Sequence, residues 1–161
     1  LYERALTIVE ETAGTDNPDY GGLMVSLGEL ELQRGELDAA EASLRRAEPI
    51  FAKTPGNPDA VRMQLAQGAL ALTRGDAAAA AAAYEQALAR LADGKSRPDR
   101  RGHARFGLAR ALTTNGAVAS ASDPGRARTL AELALADYRA AGAAHAERVR
   151  DVETWLRSAG A

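Results

Sequence analysis

The sequence contains no cysteine, which excludes disulfide bonds and thiolate chemistry and permits a reducing compartment. Aromatic residues make up only 4% of its 161 residues, and alanine supplies much of the apolar content. A core of Ala and Leu favours closely packed helices, because small side chains let helix axes approach, whereas strands would require more Val, Ile, Thr and Tyr. The composition therefore predicts an all-α fold.

Long apolar runs and an excess of basic charge are also missing. No run approaches the roughly 20 residues that a membrane span needs, and the N-terminal residues lack the pattern of a signal peptide. The formal net charge is −2, and lysine occurs only at Lys53 and Lys95, whereas a nucleic-acid scaffold would carry a basic face. These features predict a cytoplasmic protein that binds neither membranes nor nucleic acid.

The chain contains an internal repeat. Segments beginning at Gly28 and Gly68 align without a gap at an offset of 40 residues. In each segment a helical apolar pattern ends at an Arg-Gly pair, where glycine takes the left-handed conformation of a helix C-terminus. The unit therefore reads as a helical hairpin, with Gly28 and Ala40 at the helix crossing. The matched pairs include Leu30 with Leu70, Leu32 with Leu72, Gly35 with Gly75, Ala40 with Ala80, and Ala47 with Ala87.

The same pattern predicts the organisation of the remaining chain. Residues 1–13 match the second helix of a repeat whose first helix is missing, so we expect further residues of the array before Leu1 and possible self-association through this half-hairpin. A turn is expected at residues 123–125, inside the last and most degenerate hairpin. Complete hairpins are predicted at about residues 17–53, 57–93 and 98–142, which makes residues 1–142 one array, and residues 143–161 are predicted to form a capping helix and tail.

The spacing of small and large residues resembles the tetratricopeptide repeat. The standard repeat is about 34 residues long; the longer spacing here, together with the linker at residues 11–19, resembles the kinesin-light-chain-like subtype. Met24 and Gln64 depart from the family at the aromatic position of the first helix. The resemblance implies a right-handed superhelix of hairpins with a C-terminal capping helix. The residues that carry it are Gly28, Gly35, Ala40, Leu44 and Ala47, then Gly68, Gly75, Ala80, Tyr84 and Ala87.

The resemblance also implies a protein-interaction scaffold. In such arrays the first helices of successive hairpins line a concave groove that holds a peptide or a helix of a protein partner. Glu29 would repel a terminal carboxylate, so the partly apolar groove favours an extended segment or a helix. The alternative is that these residues only pack the first helices together. The implied groove residues are Val25, Glu29, Gln33, Arg62, Leu65, Ala69, Thr73, His103, Phe106 and Arg110.

A second resemblance concerns the last third of the chain. Residues 104–112, 127–135, 138–142 and 152–156 resemble the C-terminal repeat tail of large bacterial serine/threonine protein kinases. This similarity implies an alternative function, a regulatory or sensing tail whose catalytic domain lies upstream. The kinase signature motifs themselves do not occur in the 161 residues.

The sequence predicts no catalytic, cofactor or metal site. Residues 94–96 read Gly-Lys-Ser, but the earlier glycine of a phosphate loop is replaced by Ala89. His103 and His145 lack partners at metal-ligand spacing, and His145 is expected to be solvated. Trp155 is interpreted as a core anchor of the capping helix, with a ligand platform as the alternative. Pro49 is predicted to kink or end its helix.

Overall fold

The computed structural model describes residues 2–92, 97–114 and 123–158, without the side chains of Tyr2 and Glu3. Within these ranges the chain is helical and contains no strand, which confirms the all-α prediction. None of the described helices is long and apolar enough to cross a membrane. The helices are α1 (Tyr2–Ala13), α2 (Pro18–Gln33), α3 (Leu37–Lys53), α4 (Pro58–Thr73), α5 (Ala77–Arg90), α6 (Pro98–Thr113), α7 (Pro124–Ala141) and α8 (Ala146–Ser158), with a 3-10 turn at Ala143–His145 before α8.

The first helices of two hairpins begin with the same local structure. The side-chain oxygen of Asn17 accepts a hydrogen bond from the backbone N–H of Asp19 at 2.8 Å, and Asn57 accepts one from Asp59 at 2.8 Å. The proline between each pair occupies the first helical position, where no backbone N–H is needed. These Asn-Pro-Asp caps are 40 residues apart, so they belong to the repeat.

The turn within each of these hairpins is fixed by glycine, as the sequence predicted. Gly35 and Gly75 have φ angles of +76° and +79°, in the left-handed region that side chains disfavour. The following residues close the turn, since Glu36 N–H donates to Glu31 O and Asp76 N–H donates to Ala71 O, both at 2.9 Å. The second helices α3 and α5 therefore start at once.

The structure bears on two expectations about proline. Helix α3 continues past Pro49 and ends at Lys53, because the burial of Ile50 and Phe51 (2% and 1% exposed) outweighs the one helical hydrogen bond that proline removes; the kink expected there stays a prediction. Residues 123–125 are not a turn but the beginning of α7. There Asp123 caps the helix by accepting from Arg126 N–H at 2.8 Å, and Pro124 takes the first helical position.

The chain forms two compact units that divide within α4, one ending at Leu70 and the other beginning at Ala71. In the first unit, a methyl group at Gly28 would lie 2.9 Å from Leu44 Cγ, which confirms that α2 and α3 cross there. Its core consists of Leu6, Tyr20, Met24, Val25, Ala40, Leu44, Ala47, Ile50, Phe51, Ala60, Met63, Ala66 and Leu70. The second unit buries Tyr84, Ala87, Leu91, Leu108, Leu112, Ala127, Ala131, Ala134, Tyr138 and Val152, among others. In this unit α8 packs on α7.

Candidate protein-binding surfaces

In the first unit, α2 and α4 share a set of polar side chains that we call the Arg62 network, made of Ser26, Glu29, Asp59 and Arg62. The Arg62 guanidinium donates to Glu29 Oε2 at 2.5 Å, to Asp59 Oδ1 at 2.9 Å and to Ser26 Oγ at 3.2 Å. Gly22 leaves space for the Asp59 carboxylate, because a methyl group at Gly22 would lie 2.9 Å from Asp59 Oδ2. The network therefore joins one cation to two carboxylates.

The Arg62 network is partly exposed. The side chains of Arg62 and Glu29 are 27% and 36% exposed to solvent. Burial by itself lowers the pKa of Arg62, but hydrogen bonds and the charges of Glu29 and Asp59 outweigh it, so the pKa of Arg62 is raised. Glu29 was expected to repel a carboxylate, yet its charge is balanced here by Arg62. The network thus presents a positioned and still accessible polar surface.

The other groove residues predicted for the first unit differ in exposure. Val25 and Leu65 lie in the core, at 0% and 5% exposed, so their side chains pack the unit and offer no surface to a partner. Gln33 is exposed at the end of α2, and Ala69 is half-buried on α4. Sequence periodicity placed all of them on first helices but did not separate the inward from the outward face.

In the second unit, His103 lies on α6 against the ring of Tyr84 from α5, with ring centroids 6.1 Å apart. The imidazole is half-buried. Loss of water, together with the positive charges of Arg148 and Arg110, lowers the pKa of His103 to about 4. His103 is therefore neutral at pH 7 and can both donate and accept a hydrogen bond.

The next turn of α6 carries Phe106, which packs edge-to-face on Trp155 of α8 with centroids 6.0 Å apart. Both rings are half-buried, so part of this aromatic pair faces solvent. The contact joins α6 to the capping helix, consistent with the interpretation of Trp155 as an anchor. Because neither ring is fully buried, the alternative interpretation of Trp155 as a ligand platform is compatible with the same contact.

Arg110 follows Phe106 by one turn of α6, and Arg148 lies on α8; both are exposed. The charges of both arginines act on His103 and on the buried hydroxyl of Tyr84. The two cations therefore contribute to the electrostatic surroundings of the same two rings. Thr73, the remaining predicted groove residue in this unit, is exposed at the end of α4.

The expectation for His145 is wrong. Its ring is half-buried and stacks on Tyr138, with centroids 6.1 Å apart and an interplanar angle of 27°. The 3-10 turn before α8 directs it back onto α7, which the residue spacing did not indicate. Residues 94–96 lie outside the described residues. Among the residues that are described, no three His, Asp or Glu side chains are grouped closely enough to hold a metal ion.

Sequence reasoning missed Ser26, Asp59 and Arg148 as surface residues. Arg148 is separated by four and seven residues from Val152 and Trp155, so helical spacing places it near their face of α8. Asp59 belongs to the repeated Asn-Pro-Asp cap, a signal that the sequence carries at both Asp19 and Asp59. No comparable sequence signal indicates Ser26.

Helical hairpins with polar first-helix residues at the surface define the chain as a helical-repeat scaffold. A family model described as Tetratricopeptide repeat matches residues 1–58 and 65–127, which is most of the chain. The chain therefore belongs to the tetratricopeptide repeat family, whose repeats mediate protein–protein interactions. No curated protein matches the chain.

Proposed function

We propose that this chain is a scaffold that binds a segment of a partner protein on the first helices of its hairpins, including the partly exposed Arg62 network. The observation that carries the proposal is this network. Its donors and acceptors are already positioned by mutual hydrogen bonds, and Arg62 and Glu29 remain accessible. Side chains that are ordered before binding lose less entropy when a partner arrives, so such a surface favours binding.

A purely structural role for the network is the main alternative, because the same contacts hold α2 against α4. The two roles differ in what a substitution changes. If the network only joins helices, Arg62→Gln will lower the free energy of unfolding and leave the affinity of the folded protein for a partner unchanged. If it binds a partner, affinity will fall in a protein that is still folded.

The experiment selects peptides from a phage-displayed library of random 12-residue sequences on the full chain, then measures the affinity of an enriched peptide for two variants. Arg62→Gln should weaken binding by about 5- to 10-fold, the loss typical of an interface residue that matters. Arg45→Gln is the control, since Arg45 is exposed on α3 and, among the described residues, pairs with Glu41 alone, at 2.6 Å. Equal affinities for both variants would contradict the role of the network, and a selection without enrichment would contradict the scaffold function.

A second candidate function rests on the resemblance to kinase tails that the sequence suggests at residues 104–112, 127–135, 138–142 and 152–156. In this proposal the chain is the regulatory tail of a bacterial serine/threonine protein kinase and also binds a protein partner. Sequencing the reading frame upstream of Leu1 tests it: a glycine-rich loop, a strand lysine and a His-Arg-Asp catalytic loop are expected, and only further hairpins would refute it. Self-association, the kinesin-light-chain-like subtype and a cytoplasmic location remain predictions of the sequence.

A further inference from the structure

Several arginines of the second unit have a carboxylate partner, but two whose charges act on the same rings do not. Arg110 on α6 and Arg148 on α8 are exposed and form no ion pair with any residue that the structure describes. They are therefore two cations without an ion-pair partner among the described residues, on a chain of net charge −2. By contrast, Arg101 and Arg105 pair with Asp137, Arg126 with Glu85, Arg128 with Glu132, and Arg139 with Glu153.

The surroundings of these two arginines suit a carboxylate. His103 lies within reach of both charges and is neutral, so it offers a hydrogen bond without adding or removing charge. Asp99 also acts on His103, but its carboxylate already pairs with Arg97 at 3.1 Å. A cation beside partly desolvated rings is screened less than one in open water, which strengthens its attraction for an anion.

An apolar contact lies beside the charges. Phe106 precedes Arg110 by one helical turn and packs on Trp155, and both rings are partly exposed. Aromatic rings at a surface next to arginine are the residue types that contribute most energy at protein interfaces. The site therefore combines two cations, a neutral imidazole and an aromatic face.

We propose that this α6–α8 surface, formed by His103, Phe106, Arg110, Arg148 and Trp155, binds an acidic segment of a partner protein. Carboxylates of the segment pair with the two arginines, and an apolar side chain of the segment packs on the Phe106–Trp155 pair. This inference rests on the proposed scaffold function and adds the chemical class of the partner. A nucleic acid is a poorer occupant, because it would require a longer basic surface than two arginines provide.

The test repeats the random 12-residue peptide selection on three forms of the full chain. They are the unchanged protein, the double variant Arg110→Gln/Arg148→Gln, and the control double variant Arg128→Gln/Arg150→Gln, which removes the same charge from α7 and α8 outside the proposed surface. Circular dichroism verifies that all three remain helical. The four substituted side chains are exposed, so folding should be preserved.

The unchanged protein and the control should enrich peptides with about twice the Asp and Glu content of the starting library. The Arg110/Arg148 variant should lose that enrichment. An enriched acidic peptide should bind this variant about 10-fold more weakly and the control within about twofold, because charge-assisted contacts of arginine are strong.

Enrichment of neutral or basic peptides, or of acidic peptides equally by both double variants, would overturn the inference while leaving the scaffold function intact. A labelled oligothymidylate that binds through Arg110 and Arg148 more tightly than the acidic peptides would also overturn it. If no form enriches any peptide, the scaffold function fails, and this inference fails with it.

Discussion

At the scale of single residues, the packing depends on which glycine meets which large side chain. Leu44 of α3 faces Gly28 of its own hairpin, whereas Tyr84, at the equivalent position of α5, faces Gly107 of the next hairpin. Tyr84 is buried at 1% exposure, and a methyl group on Gly107 would overlap its ring. The same repeat position therefore makes a close contact with a glycine in both places, within the hairpin for Leu44 and with the next hairpin for Tyr84.

We expect Gly107→Ala to lower the free energy of unfolding by about 1–3 kcal/mol. The added methyl group overpacks the Tyr84 ring, and the gain of roughly 1 kcal/mol in helix propensity only partly offsets this cost. Urea denaturation followed by circular dichroism measures the change. Gly125→Ala is the matched control, since it lies in the first turn of α7, where the nearest contact would be an ordinary 3.5 Å to Asp123. A neutral Gly107→Ala would show that the ring moves aside freely.

At the scale of helices, α6 and α7 are joined by a buried carboxylate. Asp137 of α7 has a side chain only 7% exposed, and it accepts from Arg105 at 2.6 Å and from Arg101 at 3.2 Å. The arginines lie one turn apart on α6 and keep about a quarter of their exposure, at 24% and 26%. One buried acceptor thus holds two turns of the facing helix.

Asp137→Asn should destabilise the chain by about 2–3 kcal/mol. Removing one partner of a buried pair leaves charge uncompensated, at a cost of roughly 3–5 kcal/mol, and the partial exposure of the arginines lowers that figure. Glu132→Gln on the same helix is the comparison, because its pair with Arg128 is 55% exposed on both sides and should contribute below about 0.5 kcal/mol. Similar losses in the two variants, measured by thermal or urea unfolding, would refute a special role for Asp137.

The sequence predicted the helices better than their contacts. Glycine at a helix C-terminus and helical periodicity are both local signals in the sequence, so the hairpins around Gly35 and Gly75 were predictable. The Asn-Pro-Asp caps were equally local but were interpreted as linker. The partners of Asp137 were not predictable, because the pairing depends on how α6 and α7 are rotated against each other. Helix rotation also explains an error in the predicted groove. The sequence assigned His103, Arg110 and Val25 alike to a surface, but it could not show that Val25 turns into the core.

At the scale of the whole molecule, pH should set the limits of stability through rings of the second unit. Loss of water lowers the pKa of His103 to about 4 and raises the pKa of Tyr138 to about 12; it also raises the pKa of Tyr84. In the unfolded chain these groups titrate near 6.5 and 10. Unfolding therefore takes up a proton between about pH 4 and 6.5 and releases protons above about pH 10, so both changes favour the unfolded state at the extremes.

These groups predict constant stability between about pH 6.5 and 10, a loss as pH falls from 6.5 to 4, and another loss as pH rises above 10. The part due to His103 should be about 1–2 kcal/mol, less than the full pKa shift implies because the ring keeps some contact with solvent. Urea denaturation of the unchanged chain and of His103→Gln at constant ionic strength isolates this part.

Carboxylates also titrate in this range, but their effect is common to both proteins and cancels in the difference. The difference in unfolding free energy should shrink as pH falls from 7 to 4. If it stays constant, His103 is protonated as readily in the folded chain as in the unfolded one, and neither its contact with Tyr84 nor the charges of the two arginines control its protonation.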